Sequence, residues 1–202
     1  MSRTSRRLQL CWLLTALLSS LKLAAEPLRA DVIVFLRPDS AALPAPIRAS
    51  RPDDRRAIAM DDEQGLKLAG LNILPESEFG LAREWRQLRA AAGYEPLLKL
   101  AFTEENPPAS GGAALRLFQP SGDGNGLNGF LRLLAGKNGG VELDLEYQLP
   151  KPPEGAAKAY RVQQKRSASK PDSMLYLDGG RLGALVKLSR PPATKAVLPA
   201  KP

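Results

Sequence analysis

Between residues 140 and 149 the chain alternates without a break. Val141, Leu143, Leu145, Tyr147 and Leu149 are apolar, and Glu142, Asp144, Glu146 and Gln148 between them are polar. A period of two puts each set on its own side of a β-strand. This predicts a strand with one dry and one wet face, as antiparallel sheets carry. Shorter runs of the same kind predict strands near 94–103, 113–119, 129–135, 158–167, 173–178 and 182–189. At 30–37, ADVIVFLR is apolar and rich in β-branched residues, which predicts a buried first strand. The stretches ENPPASGG, PSGDGNGLN and KPPEGAAK have the composition of turns and loops.

One segment has the helical period. Leu81, Trp85, Leu88 and Ala92 share a face, Glu76 and Glu78 lie in the first turn, Arg86 and Arg89 lie near the end, and Gly93 follows. The pattern predicts a helix over 76–92 with Trp85 as a core anchor. Residues 38–65 show no period and read as a long, exposed, mobile connection, with RPDDRR as a solvated loop. The tail from Pro191 reads as extended and disordered. These elements predict one α+β domain over 26–190, an antiparallel sheet with one main helix packed on one face. A ferredoxin-like strand order is among those this permits.

The start of the chain has a different character. Arg3, Arg6 and Arg7 precede LQLCWLLTALLSSLKLAA, which ends in the small residues Ala24 and Ala25. A basic start, an apolar middle and a small-residue end read as a secretory signal peptide over 1–25, cut after Ala25, with Ala30 as a second possible cut. The apolar run is broken by Lys22 and is marginal for a span of about 20 residues, so no membrane span is expected after cleavage. Cleavage removes Cys11, the single cysteine, from a chain that has no histidine. Thiol, disulfide and Cys/His metal chemistry are thereby excluded from the mature chain, and a periplasmic location fits an exported protein of this kind. Four of the 29 basic residues leave with the leader, so 25 face 21 acids and the net charge falls from +8 to +4. That balance does not point to nucleic acid.

Catalytic motifs fail on inspection. Ser167-Ala168-Ser169-Lys170 has the S-x-x-K spacing, but Pro171 blocks the helix that it needs, and S-D-N and K-T-G are missing. Asp123-Gly124-Asn125-Gly126 begins like a calcium loop, but Leu127, Asn128 and Leu134 stand where a ligand, the turn glycine and the closing glutamate belong. Glu142, Asp144 and Glu146 would be spaced about 7 Å apart on one strand face, without the scaffold of a carboxylate-pair hydrolase. The chain therefore reads as a non-enzyme without cofactor or metal. The same acids face the basic strand that follows, where Arg161, Lys165 and Arg166 are placed to pair with them across a hairpin.

Three segments together resemble the CsiV family of periplasmic proteins linked to peptidoglycan synthesis. DVIVFLR is similar to the family's opening strand. LRAAAGYEPLLKLAF, residues 88–102, is similar to its helix end, Gly-Tyr and Leu-Leu strand. QKRSASKPDSMLYLDGGRLGALVKL, residues 164–188, is the most specific match, with Lys165, Arg166, Tyr176, Leu177, Asp178, Gly183, Leu185 and Val186 on the family's positions. The chain departs from the family pattern at Leu175, Lys99 and Phe102, and at Gly179-Gly180-Arg181-Leu182, where the family has His-Pro-Leu-Phe.

The resemblance implies a non-catalytic factor that supports cell-wall assembly. It would bind peptidoglycan, or a periplasmic lipoprotein activator of a penicillin-binding synthase. A general periplasmic adaptor is the alternative. For the most specific segment, physical chemistry adds a turn fixed by Asp178, with Gly179, Gly180 and Gly183 supplying tight or left-handed backbone. It also adds a basic edge of Arg161, Lys165 and Arg166 beside Tyr176, suited to peptide-stem carboxylates or an acidic partner.

Overall fold

The alternating segment forms β7 (Gly140–Gln148), with an antiparallel neighbour on each side. In this computed structural model, residues 26–38, 52–108, 112–120, 126–149 and 159–191 are described. The leader, Cys11, residues 39–51, most of the three turn stretches and the tail from 192 lie outside them. Along the chain come β1 (Leu28–Leu36), β2 (Ala57–Ile58), α1 (Glu63–Leu68), β3 (Leu71–Ile73), a 3-10 turn (Glu76–Glu78) and α2 (Ala82–Ala90). They are followed by β4 (Glu95–Glu104), β5 (Ala114–Pro120), β6 (Gly126–Leu134), β7, β8 (Ala159–Ser167), β9 (Met174–Gly179) and β10 (Leu182–Ser189).

The strands form two sheets. One has the order β3-β4-β1-β10-β9 and is antiparallel throughout. The other has the order β2-β5-β6-β7-β8, antiparallel except for the short β2–β5 pair. The dry face of the β7 sheet (Leu131, Leu133, Leu143, Leu145, Val162) meets Val32, Val34, Leu177, Ala184 and Val186 of the β1 sheet in one continuous core. A second, smaller cluster lies on the outer face of the β1 sheet, where Ile33, Phe35 and Ala101 receive Phe79, Leu81, Trp85 and Leu88 from the 3-10 turn and α2. Covered on both faces, β1 is apolar almost throughout, as its sequence is.

This corrects the expected α+β fold and its ferredoxin-like variant. Strand accounts for 53% and helix for 13% of the described residues, and the main packing is sheet on sheet. Alternation marks a dry face but does not say whether a helix or a second sheet covers it. The helix also starts later than Pro75. The carboxylate of the buried Asp31 on β1 accepts from the Gly80 N–H at 2.6 Å and from Arg29 at 3.0 Å, and Arg29 reaches on to the Glu78 carbonyl. This anchor sits at Gly80, between the 3-10 turn and the start of α2 at Ala82. Trp85 is half-buried beneath Lys99, whose ammonium lies 5.3 Å from its ring centre and also pairs with Glu76. The helix ends at Ala90, two residues short of the expected end at 92, and Ala91 is already extended, so Ala92 falls outside it and is exposed. Within the supposed mobile connection, residues 52–65 hold β2 and the start of α1, which Asp62 caps by accepting from the Gly65 N–H at 2.9 Å.

A charged side chain also faces the core between the sheets. Glu104 continues the inward face of Leu100 and Phe102, opposite Leu28 and Leu71 on the flanking strands. It is 2% exposed, and its Oε2 has no hydrogen-bond partner among the described residues.

Candidate functional site

A groove opens on the outer face of the β1 sheet beside α2. Its floor and far wall are built by strand parity. Ile33 and Phe35 point outward from β1, and Tyr176 and Leu185 point the same way from β9 and β10, directly opposite each other. Phe35 faces Gly183 across the β1–β10 ladder. A Cβ at Gly183 would lie 3.2 Å from the Phe35 ring and 3.4 Å from that of Tyr176, so glycine there makes room for the two rings. They stack with centroids 6.4 Å apart and planes 15° from parallel, and Tyr94 tilts onto Phe35 at 5.9 Å. Leu88 and Ala91 of α2 form the near wall, with Glu84 and Gln87 on the rim. The cavity measures about 380 Å³, and Tyr176 is 44% exposed at its mouth.

A polar cluster lies beside the Tyr176 end. Arg37, just past β1, pairs with Asp178 at 3.1 Å and donates to the Gly180 carbonyl at 3.4 Å. Asp178 also accepts from the Gly180 N–H at 2.8 Å. Gly180 has φ +81° and leads a two-residue β9–β10 hairpin, the left-handed first position that glycine fills most readily. Burial first, then the Asp178 carboxylate, raises the Tyr176 phenol above its ordinary pKa against the opposing pull of Arg37. The hydroxyl is therefore neutral, able both to donate and to accept.

The expected basic edge is not assembled. Arg161 lies on the outer face of the other sheet, where Asp144 binds it in a fork at 2.8 and 2.7 Å. Lys165 shares that parity and stands opposite Glu142, but Glu142 pairs with Arg132 of β6 at 2.9 Å. Arg166 has the opposite parity, and its Nε donates to Gln164 at 3.4 Å. Tyr176 thus lines the groove and Asp178 flanks it, while the Arg161 side chain is taken up by Asp144 on the outer face of the β7 sheet.

The wet face predicted for β7 is also corrected. Asp144 and Glu146 are 5% and 3% exposed. Arg161 and Gln163 lie against Asp144, and Gln148 donates to Glu146. Gly179 serves close approach. It packs against the Arg161 carbonyl on β8, and a Cβ there would lie 2.7 Å from the Val162 Cα, which makes β8–β9 the seam where the two sheets close.

Sequence reasoning does not single out Phe35, Arg37, Leu88 or Tyr94 as site residues, although each lies in or borders a segment that carries the family resemblance. Ser167 ends a strand, so the S-x-x-K spacing has no helical turn, and Gly126–Leu134 is strand β6 where a calcium loop would need a turn. Among the described residues no group of three or more His, Cys, Asp or Glu is placed to hold a metal, and no helix is long and apolar enough to cross a membrane. No protein-family model, no curated protein and no solved structure matches the chain.

Proposed function

We propose that this chain is an exported, non-catalytic binding protein of the periplasm. In this reading it supports peptidoglycan assembly as CsiV-like proteins do, and the aromatic groove is its contact site. One observation carries the reading: the three segments that resemble the family are far apart in sequence yet meet at this groove. The opening strand supplies Phe35 and flanking Arg37, the helix end and Gly-Tyr supply Leu88, Ala91 and Tyr94, and the last segment supplies Tyr176, Leu185 and flanking Asp178. An open floor of aromatic rings with a few polar groups at its margin suits a sugar ring or an apolar side chain, held by apolar contact and oriented by hydrogen bonds.

The test is co-sedimentation of the purified protein with isolated sacculi, together with crosslinking in cells. Binding to sacculi or capture of a synthase-activating lipoprotein is expected, and either should be lost in Tyr176→Ala at unchanged melting temperature. Absence of both interactions would overturn the cell-wall reading and leave a general adaptor. Release of soluble muropeptides would overturn the non-catalytic one.

A further inference from the structure

The RPDDRR loop has a second reading in three dimensions. Residues 52–56 lie against the outer face of the β7 sheet and close a cavity of about 640 Å³, lined by Asp53, Arg55, Arg56, Phe130 and Arg132. The Arg132 guanidinium is held in place. Arg132 donates through Nε to the Gly112 carbonyl at 2.9 Å, pairs with Glu142, and lies 5.3 Å from the centre of the buried Phe130 ring. Arg55 forks onto Asp53 at 2.8 and 3.0 Å through Nε and Nη2, which leaves Nη1 outside that fork. The Arg56 side chain is exposed, and its field helps hold Asp53 ionised, after the bond from Arg55. The wall therefore carries three cations against one carboxylate, with Glu142 behind Arg132 and the neighbouring Asp54 taken up by Arg116 at 3.3 Å.

We propose that this cavity is a second binding site, for a small ligand that carries a carboxylate or phosphate oxyanion beside an apolar body. Planar guanidinium forks match the geometry of both oxyanions, and a guanidinium already fixed by other bonds loses little freedom on binding one. Arg56 supplies a fork at the mouth and the Phe130 ring supplies the apolar floor. The volume is that of a small-molecule pocket. The proposal is independent of the cell-wall reading, because the groove lies on the opposite outer face of the sandwich.

The experiment follows the arginine Nε–H signals of the purified protein by NMR, titrated separately with inorganic phosphate and with N-acetylglycine at constant ionic strength set by sodium chloride. Saturable shifts at Arg56 and Arg132 are expected for at least one probe, with a Kd on the order of 1 mM. Saturation by phosphate alone identifies a phosphoryl ligand, and saturation by N-acetylglycine alone identifies a carboxylate. Arg56→Gln, at an exposed position, should melt as the parent does and bind at least about tenfold more weakly, the loss of one charge-assisted fork. Shifts that stay linear for both probes, or an Arg56→Gln protein that binds as tightly as the parent, would overturn the site.

Discussion

Replacing Glu104 by glutamine should stabilise the protein at neutral pH and change how its stability depends on pH. The Glu104 carboxyl lies in the core between the sheets, and burial pushes its pKa from 4.5 up to about 7, against a weaker opposing pull from Arg132. The folded state thus holds a proton that the unfolded state releases at lower pH. Stability is fully present below about 4.5, falls as pH rises, and levels off above about 7. Raising a folded-state pKa by one costs about 1.4 kcal/mol once the group has ionised, so the whole window spans about 3 kcal/mol. That is a large share of the roughly 5–15 kcal/mol by which domains are stable. Glutamine keeps the shape and never ionises. Urea unfolding of both proteins between pH 4.5 and pH 8 measures the effect. The two curves should nearly meet at the acid end and diverge in favour of Glu104→Gln toward pH 8. The chain has no histidine, so above about pH 6 the α-amino group is the other ordinary titration, and the comparison with Glu104→Gln cancels the carboxylates that titrate near the acid end. Parallel curves, or a parent protein that gains stability from pH 5 to pH 8, would refute the reasoning.

Other expectations follow from contacts already described. Asp31→Ala strands the half-buried Arg29 and the Gly80 N–H, and should lower the unfolding free energy by about 3 kcal/mol, read from the urea midpoint. Gly179→Ala drives a methyl group into the β8 backbone and should cost about 1–3 kcal/mol or more. Gly183→Ala meets only ring edges that have room to shift, and its thermal melt should fall less. Lys99→Met removes a cation from over Trp85 and should cost about 0.5–1 kcal/mol, with a change in tryptophan emission.

Most strands were legible because their dry faces are written at every second residue, as in Val141, Leu143 and Leu145. What covers those faces was not. Nothing in the β7 pattern separates packing against Val32 and Val34 of another sheet from packing against a helix. β2, α1 and β3 were missed because each is too short to show a period and is set by partners distant in sequence, such as Glu104 for Leu71. The split of Arg166 from Arg161 and Lys165 was legible, since their positions differ in parity. The separation of the Tyr176 and Arg161 side chains was not, because it depends on β8 and β9 being edge strands of different sheets. Asp144 and Glu146 read as wet because their residue type says so, while the arginine and glutamine side chains that lie over them come from parity and neighbours together.

The pairing of β1 with β10 has a kinetic side. Arg29 stands opposite Ser189, and β1 is the central strand of its sheet. Nearly the whole chain must therefore be present before that sheet has its middle, and the loop closed by this contact is among the longest in the molecule. Chains with such distant pairings fold slowly, because the entropy of closing the loop is lost before the contact repays it. A chain that still lacks β10 has an apolar β1 with one edge open, which leaves that strand free to pair wrongly until the last strand arrives.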